Sequence, residues 1–130
     1  MSKFIENHKQ TYKTYQNKPW DCPALQEPVY FTSEGLNHLL YKRQRPRNKT
    51  EQHYRCGLIP FIPTVIEKSE TALKRIENAR LLIFTWNLEY KVSIKGTLCL
   101  VKVVLIKKGN SRITFLSAMS KKINTKKVQR

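Results

Sequence analysis

"LLIFTWNLEYKVSIKGTLCLVKVVLIKKGNSRITFLSAM", residues 81–119, decides the fold class, because here the hydrophobic period drops to two. Leu88, Tyr90, Val92 and Ile94 fall on one face, and Glu89, Lys91, Ser93 and Lys95 on the other, the pattern of a half-buried strand. "TLCLVKVVLIKKG" is apolar on nearly both faces, as a central strand is. Gly96 and the Gly109-Asn110 pair punctuate the run. The expected product is an antiparallel β-meander of three to four strands.

Upstream the spacing is helical. Thr32 or Ser33 can cap a helix running from about Ser33 to Lys42, with Leu36, Leu39 and Leu40 as its buried stripe and Glu34 in its first turn. His38 falls on the other face, four residues from both Glu34 and Lys42; the first should raise its pKa and the second lower it. Pro46 should stop this helix near Arg45. Thr50 is the expected cap of a second helix, which Pro60 and Pro63 should divide into two pieces. "SETALKRIENAR", residues 69–80, reads as a short helix or an ordered loop, with Ser69 as cap and Leu73 and Ile76 as anchors. Three prolines (Pro19, Pro23, Pro28) oppose a long helix in residues 1–28, which read as an arm with room for one short N-terminal helix. Residues 121–130 read as a basic, frayed tail. The expectation is one α+β domain over residues 29–120, with N-terminal helices packed on the C-terminal meander.

The charge balance narrows the partners. In 130 residues, 25 Lys/Arg stand against 9 Asp/Glu, a formal charge of +16. Such a field attracts polyanions, nucleic acid first, and an acidic inhibitor protein is the other natural partner. Cys22, Cys56 and Cys99 are odd in number and widely spaced, so a disulfide framework is not expected and a cytoplasmic location is. No apolar run reaches the roughly 20 residues needed to cross a bilayer, and "MSKFIENHKQ" lacks the apolar segment of a signal peptide.

The densest charge is "YKRQRPRNKTEQHYR", residues 41–55, with six Lys/Arg around one carboxylate, Glu51. The acids of the chain are scattered, glycines are few and ungrouped, and His53-x-x-Cys56 with distant Cys22 matches no familiar zinc spacing. No metal or cofactor is therefore expected. Metal-free RNA cleavage remains compatible. The 2′-hydroxyl attacks its own phosphate, so the protein supplies a base, an acid and cations. Against that stands the plainer reading of a basic nucleic-acid binder, with His38 and His53 as surface histidines and the arginines as phosphate positioners.

"VYFTSEGLNHLLYKRQRPRNKTEQHYRCGLIPFIPTVIE" followed by "TLCLVKVVLIKKGNSRITFLSAMSKK" resembles the phage and mobile-element nuclease domains of the Barnase–EndoU–colicin–RelE superfamily. The resemblance is one of order: a strand and capped helix with Gly35-Leu36-x-His38, a basic linker, a helix ending in "LIPFIPTVI", then "VKVVLIKKG" and a last strand "ITFLSAM". It spans about residues 29–120. It implies helices followed by a four-stranded antiparallel sheet, and metal-independent RNA cleavage, often as a toxin held by an inhibitor. It further implies His38 as site histidine, Arg55 as phosphate-binding cation, and Ser117, with Ser120 second, as the hydroxyl closing the site. The sequence departs from the pattern at "SAMSKK", where the family places an aromatic beside the hydroxyl. RNA, with DNA second, would lie on the exposed sheet face, gripped by Lys42, Arg43, Arg45, Arg47 and Lys49, with Tyr41 or Tyr54 stacking a base. The alternatives are a non-catalytic RNA- or DNA-binding protein on the same scaffold, or a structural protein of a phage particle.

Overall fold

A computed structural model describes residues 3–123. Helix α1 (Lys3–Tyr15) leads into strands β1 (Trp20–Cys22) and β2 (Glu27–Tyr30), then helix α2 (Ser33–Leu40). A small hairpin follows, β3 (Tyr41–Lys42) with β4 (Arg45–Pro46), then helix α3 (Lys49–Cys56), a 3-10 turn (Ile59–Phe61) and helix α4 (Ile62–Lys68). Strands β5 (Leu73–Asn78), β6 (Ile83–Ile94), β7 (Thr97–Lys108) and β8 (Ile113–Lys122) complete the chain.

The α+β class holds, but the sheet is larger than a C-terminal meander. It has six strands in the order β1-β2-β8-β7-β6-β5 and is mixed, because β2 runs parallel to β8 while the other pairs are antiparallel. The two extra strands come from the proline-rich segment read as an arm. Pro28 lies outside the pairing of β2 with β8, which runs through Val29 and Tyr30, so β8 asks no N–H of it. The segment is held by burial: Ile5, Tyr12, Cys22, Val29 and Phe31 all lie in the core.

Within residues 69–80 the middle six, Leu73–Asn78, form a strand rather than a helix or loop. Leu73 and Ile76, spaced like helix anchors, lie exposed on the edge strand β5, whose order comes from backbone pairing with β6. Ser69 caps no following helix; it ends α4, and its hydroxyl donates to the Glu89 carbonyl (3.0 Å). The tail expected at 121–130 begins inside β8, since Lys121 and Lys122 pair with Leu100 and Cys99; residues 124–130 lie outside the described residues.

Along β6 the expected face is buried at Leu88, half-buried at Val92 and Ile94 and exposed at Tyr90. β7, expected to be apolar on nearly both faces, buries one face and only half-buries most of the other. Leu88, Val101, Val103, Leu105 and Phe115 turn to one face and meet Leu39, Ile59, Ile62, Val65 and Ile66 from the helices. Pro60 and Pro63 divide the second helical region as expected, each sitting in the first turn of a new piece where its missing N–H costs nothing. All three cysteines are buried and unpaired, and burial pushes the Cys56 thiol up to about 11. They behave as small core side chains.

Candidate nucleic-acid interface

Gly35 sets how close α2 comes to the sheet. A Cβ there would stand 2.5 Å from the Phe115 ring and the Tyr12 hydroxyl and 2.7 Å from the Phe115 carbonyl. Only a glycine lets the helix backbone rest on β8. Tyr12 holds the helix start by donating to the Thr32 carbonyl at 2.6 Å; Thr32 occupies the cap position without a side-chain bond. Leu39 and Leu40 face the core, and His38 is left exposed.

The helix ends at Leu40, two residues before the expected stop. The Leu40 carbonyl is taken by the Arg47 N–H (2.8 Å) and by Gln52 Nε2 (3.0 Å), donors from beyond the helix. The chain then folds into the β3–β4 hairpin instead of an open linker. Its two turn residues, Arg43 and Gln44, both have positive φ (53° and 66°), the left-handed pair that a tight hairpin of native twist demands. Helix α3 is capped by Asn48, whose Oδ1 accepts from the Glu51 N–H at 2.8 Å, and not by Thr50.

Spacing on α3 assembles the charged centre. Glu51 and Arg55 stand four residues apart on α3 and share one face, and Arg47, just before the Asn48 cap, reaches the same carboxylate from the hairpin side. Arg55 Nε donates to Glu51 Oε2 at 2.8 Å, and Arg47 Nη1 lies 3.8 Å from the same oxygen. Arg47 also donates twice to the His38 carbonyl, from Nε (3.2 Å) and Nη2 (3.1 Å). Arg55 Nη1 reaches Ser117 Oγ (3.2 Å) and the Ala118 carbonyl (3.1 Å). The two side chains are only 8% and 14% exposed, so both forks are fixed before any ligand arrives.

A β-bulge lies beside the Arg55–Ser117 contact. The register shifts by one at this point, because Val104 pairs with Ser117 and Leu105 with Phe115, and Leu116 is left over.

Five of the expected cations, Lys42, Arg43, Arg45, Arg47 and Arg55, line one cleft of about 730 Å³ together with Glu51. It lies between the hairpin and α3. The cations therefore do not gather on the helix-free sheet face, where Val104, Leu116 and Met119 surround a shallow hollow. Lys49 is exposed and does not line the cleft. His38 and Tyr41 border the neighbouring hollow, with Arg43 shared between the two. Tyr54 faces a third hollow; its hydroxyl donates to the Ser120 carbonyl (2.8 Å) and accepts from the Ser120 N–H, so it ties down the end of β8.

The electrostatics differ from the expected Glu34–His38–Lys42 alignment. Glu34 is engaged by Lys108 at 3.1 Å. The His38 imidazole is lowered from its ordinary value, first by desolvation and then by Arg47 and Arg55, against a weaker opposite pull from Glu34. Arg55, with Arg47 and Lys42 behind it, holds the Glu51 carboxyl below the usual carboxylate range.

Glu51 is the residue that sequence reading left without a role, though its four-residue spacing from Arg47 and Arg55 was visible. No group of three metal-ligating side chains comes together among the described residues. No helix is long and apolar enough to cross a membrane among the described residues. The surface can thus offer fixed guanidinium forks, a pinned carboxylate and an imidazole biased towards its neutral form. Compared with family models, with curated proteins and with solved structures, the chain matches none.

Proposed function

We propose that this protein binds single-stranded RNA in the cleft and cleaves it by metal-independent transesterification. The observation that carries the reading is the placing of two fixed guanidiniums, Arg47 and Arg55, close enough to His38 to depress its pKa. A phosphate seated on the two forks would have its equatorial charge stabilised by donors needing no reorganisation. His38, neutral at neutral pH, would take the proton from the 2′-hydroxyl as that oxygen attacks phosphorus; the P–O5′ bond breaks, and the departing 5′-oxygen takes a proton from solvent, leaving a 2′,3′-cyclic phosphate. Glu51 keeps the forks aligned, and Ser117 with the Ala118 carbonyl anchors Arg55 from behind. Lys42, Arg43 and Arg45 hold the flanking phosphates. In this reading Arg55 is the phosphate-binding cation, and Ser117 is a positioning residue rather than a reacting one. An acidic inhibitor covering the cleft is the natural corollary of a toxin role.

The test is cleavage of total RNA by the purified chain in EDTA, with analysis of the ends. The expected products carry 2′,3′-cyclic phosphates, and His38→Ala is expected to lose about 10²–10⁴-fold in rate. RNA left intact over a wide range of protein concentration would overturn the catalytic reading.

One observation favours a second reading, a binder without chemistry: the imidazole of His38 borders a hollow separate from that of Arg55. That protein would bind RNA or DNA with strong salt dependence and yield no product.

A further inference from the structure

We infer that the hollow on the other side of α3 is a nucleobase subsite for a nucleotide flanking the one whose phosphate sits on Arg47 and Arg55; this rests on the RNA reading of the cleft. The hollow measures about 740 Å³. Aromatic side chains stand on its wall: Phe4 is stacked on His53 at 4.8 Å with 6° between planes and tilted against His8 at 4.4 Å. Tyr54 and Phe61 line the same space, and Phe4 and Tyr54 remain exposed at its surface. Lys95 and Lys122 stand at its border. Flat π-faces beside cations are what a base with its attached phosphate requires, and stacking of this kind tolerates any base. An apolar peptide would gain nothing from the two lysines, and the +16 charge of the chain favours an anionic strand.

Continuity with the cleft supports the same occupant. Glu51 and Arg55 present one side of α3 to the cleft, while His53 and Tyr54 present the other side to the hollow. Consecutive residues Tyr54 and Arg55 grip β8 at Ser120 and at Ser117–Ala118. Two to three residues of strand separate those grips by roughly 7–10 Å, a short step for one flexible strand of nucleic acid.

The test is anisotropy of the full chain with labelled uridine pentanucleotides, 2′-O-methylated so that binding is read without cleavage, each carrying one abasic position in turn. In the wild type, one abasic position is expected to weaken binding about tenfold, the loss of one base–aromatic stack. In His53→Ala the intact pentanucleotide should bind about tenfold more weakly, and the same abasic position should add no further loss. Lys95→Glu, at an exposed turn that does not endanger the fold, should weaken the pentanucleotide but not a dinucleotide. Equal abasic penalties in wild type and His53→Ala at every position would overturn the subsite. Failure of the wild type to bind any of the oligonucleotides would overturn the cleft reading itself, and the subsite with it.

Discussion

At the scale of single residues, the two titratable groups beside the forks are both shifted down, with consequences of one sign. Desolvation and the two arginines disfavour cationic His38, so its folded pKa lies below that of the unfolded chain. The stability this contributes is present above the ordinary imidazole value of about 6.5 and is lost as pH falls through the folded value. Glu51 behaves alike in a lower window, since its pairing with Arg55 is lost only when the carboxylate is protonated. Acid titration of the unfolding free energy should therefore decline in two stages, and His38→Ala should remove the upper one. Activity should follow the same group: kcat/KM rises from acid pH with its midpoint below the ordinary imidazole value, and His38→Ala abolishes that limb. A profile rising through neutrality would place the essential base elsewhere. Glu51→Gln separates positioning from charge. With the amide oxygen still able to accept from Arg55 Nε and the opposing charge gone, RNA should bind roughly two- to five-fold tighter, while stability falls by less than about 1 kcal/mol, because Glu51 is substantially exposed. Titration by anisotropy together with chemical unfolding checks both halves.

At the scale of elements, α2 depends on one missing side chain. Gly35→Ala puts a methyl group against Phe115 and Tyr12 in a packed core, and the 2.7 Å contact is with strand backbone that cannot swing aside. Overpacking should outweigh the gain in helix propensity and cost about 2 kcal/mol in urea unfolding. The shift of α2 should also weaken RNA binding, since Arg47 is anchored on the His38 carbonyl. This glycine stood in the sequence as part of a motif, and only the fold gives it a physical reason. The long strands β6 and β7 were legible because their faces alternate against a core, and the breaks at Pro60 and Pro63 because a proline leaves few options. β5 was not legible. Its Leu73 and Ile76 are exposed, and its order comes from hydrogen bonds to a partner that side-chain pattern does not encode. β1 and β2 were hidden for a related reason: three prolines mask two short strands held by distant contacts with β8 and α4. The β3–β4 hairpin was missed because two non-glycine residues adopt positive φ, where Asn-Gly is the usual signal. The cleft cations were legible as a cluster of charge, but the separation of His38, Tyr41 and Tyr54 from them into neighbouring hollows was not. Which side of a helix faces which cavity is settled by packing.

At the scale of the whole molecule, a charge of +16 predicts attraction to any polyanion, and the useful question is whether binding is local or spread over the surface. The cleft supplies five cations and one carboxylate, a net of about four phosphate partners if the site is used as a unit. Counterion release at single strands then gives a slope of log K against log salt of about −3, or a loss of roughly fifty-fold between 50 and 200 mM salt. A surface-wide interaction engaging most of the 25 Lys/Arg would be far steeper. The decisive comparison is Arg43→Ala/Arg45→Ala. Both residues are exposed on the hairpin and lie in the cleft lining, so the fold should tolerate their loss. Binding through the cleft predicts that the slope flattens by about 1.4 and that affinity at low salt falls with it. Removing two charges distant from the cleft, as in Lys74→Ala/Arg75→Ala on the exposed edge strand β5, should leave the slope where it was. Equal flattening in the two double variants would mean that the chain attracts nucleic acid by its overall field, with no privileged site on α3.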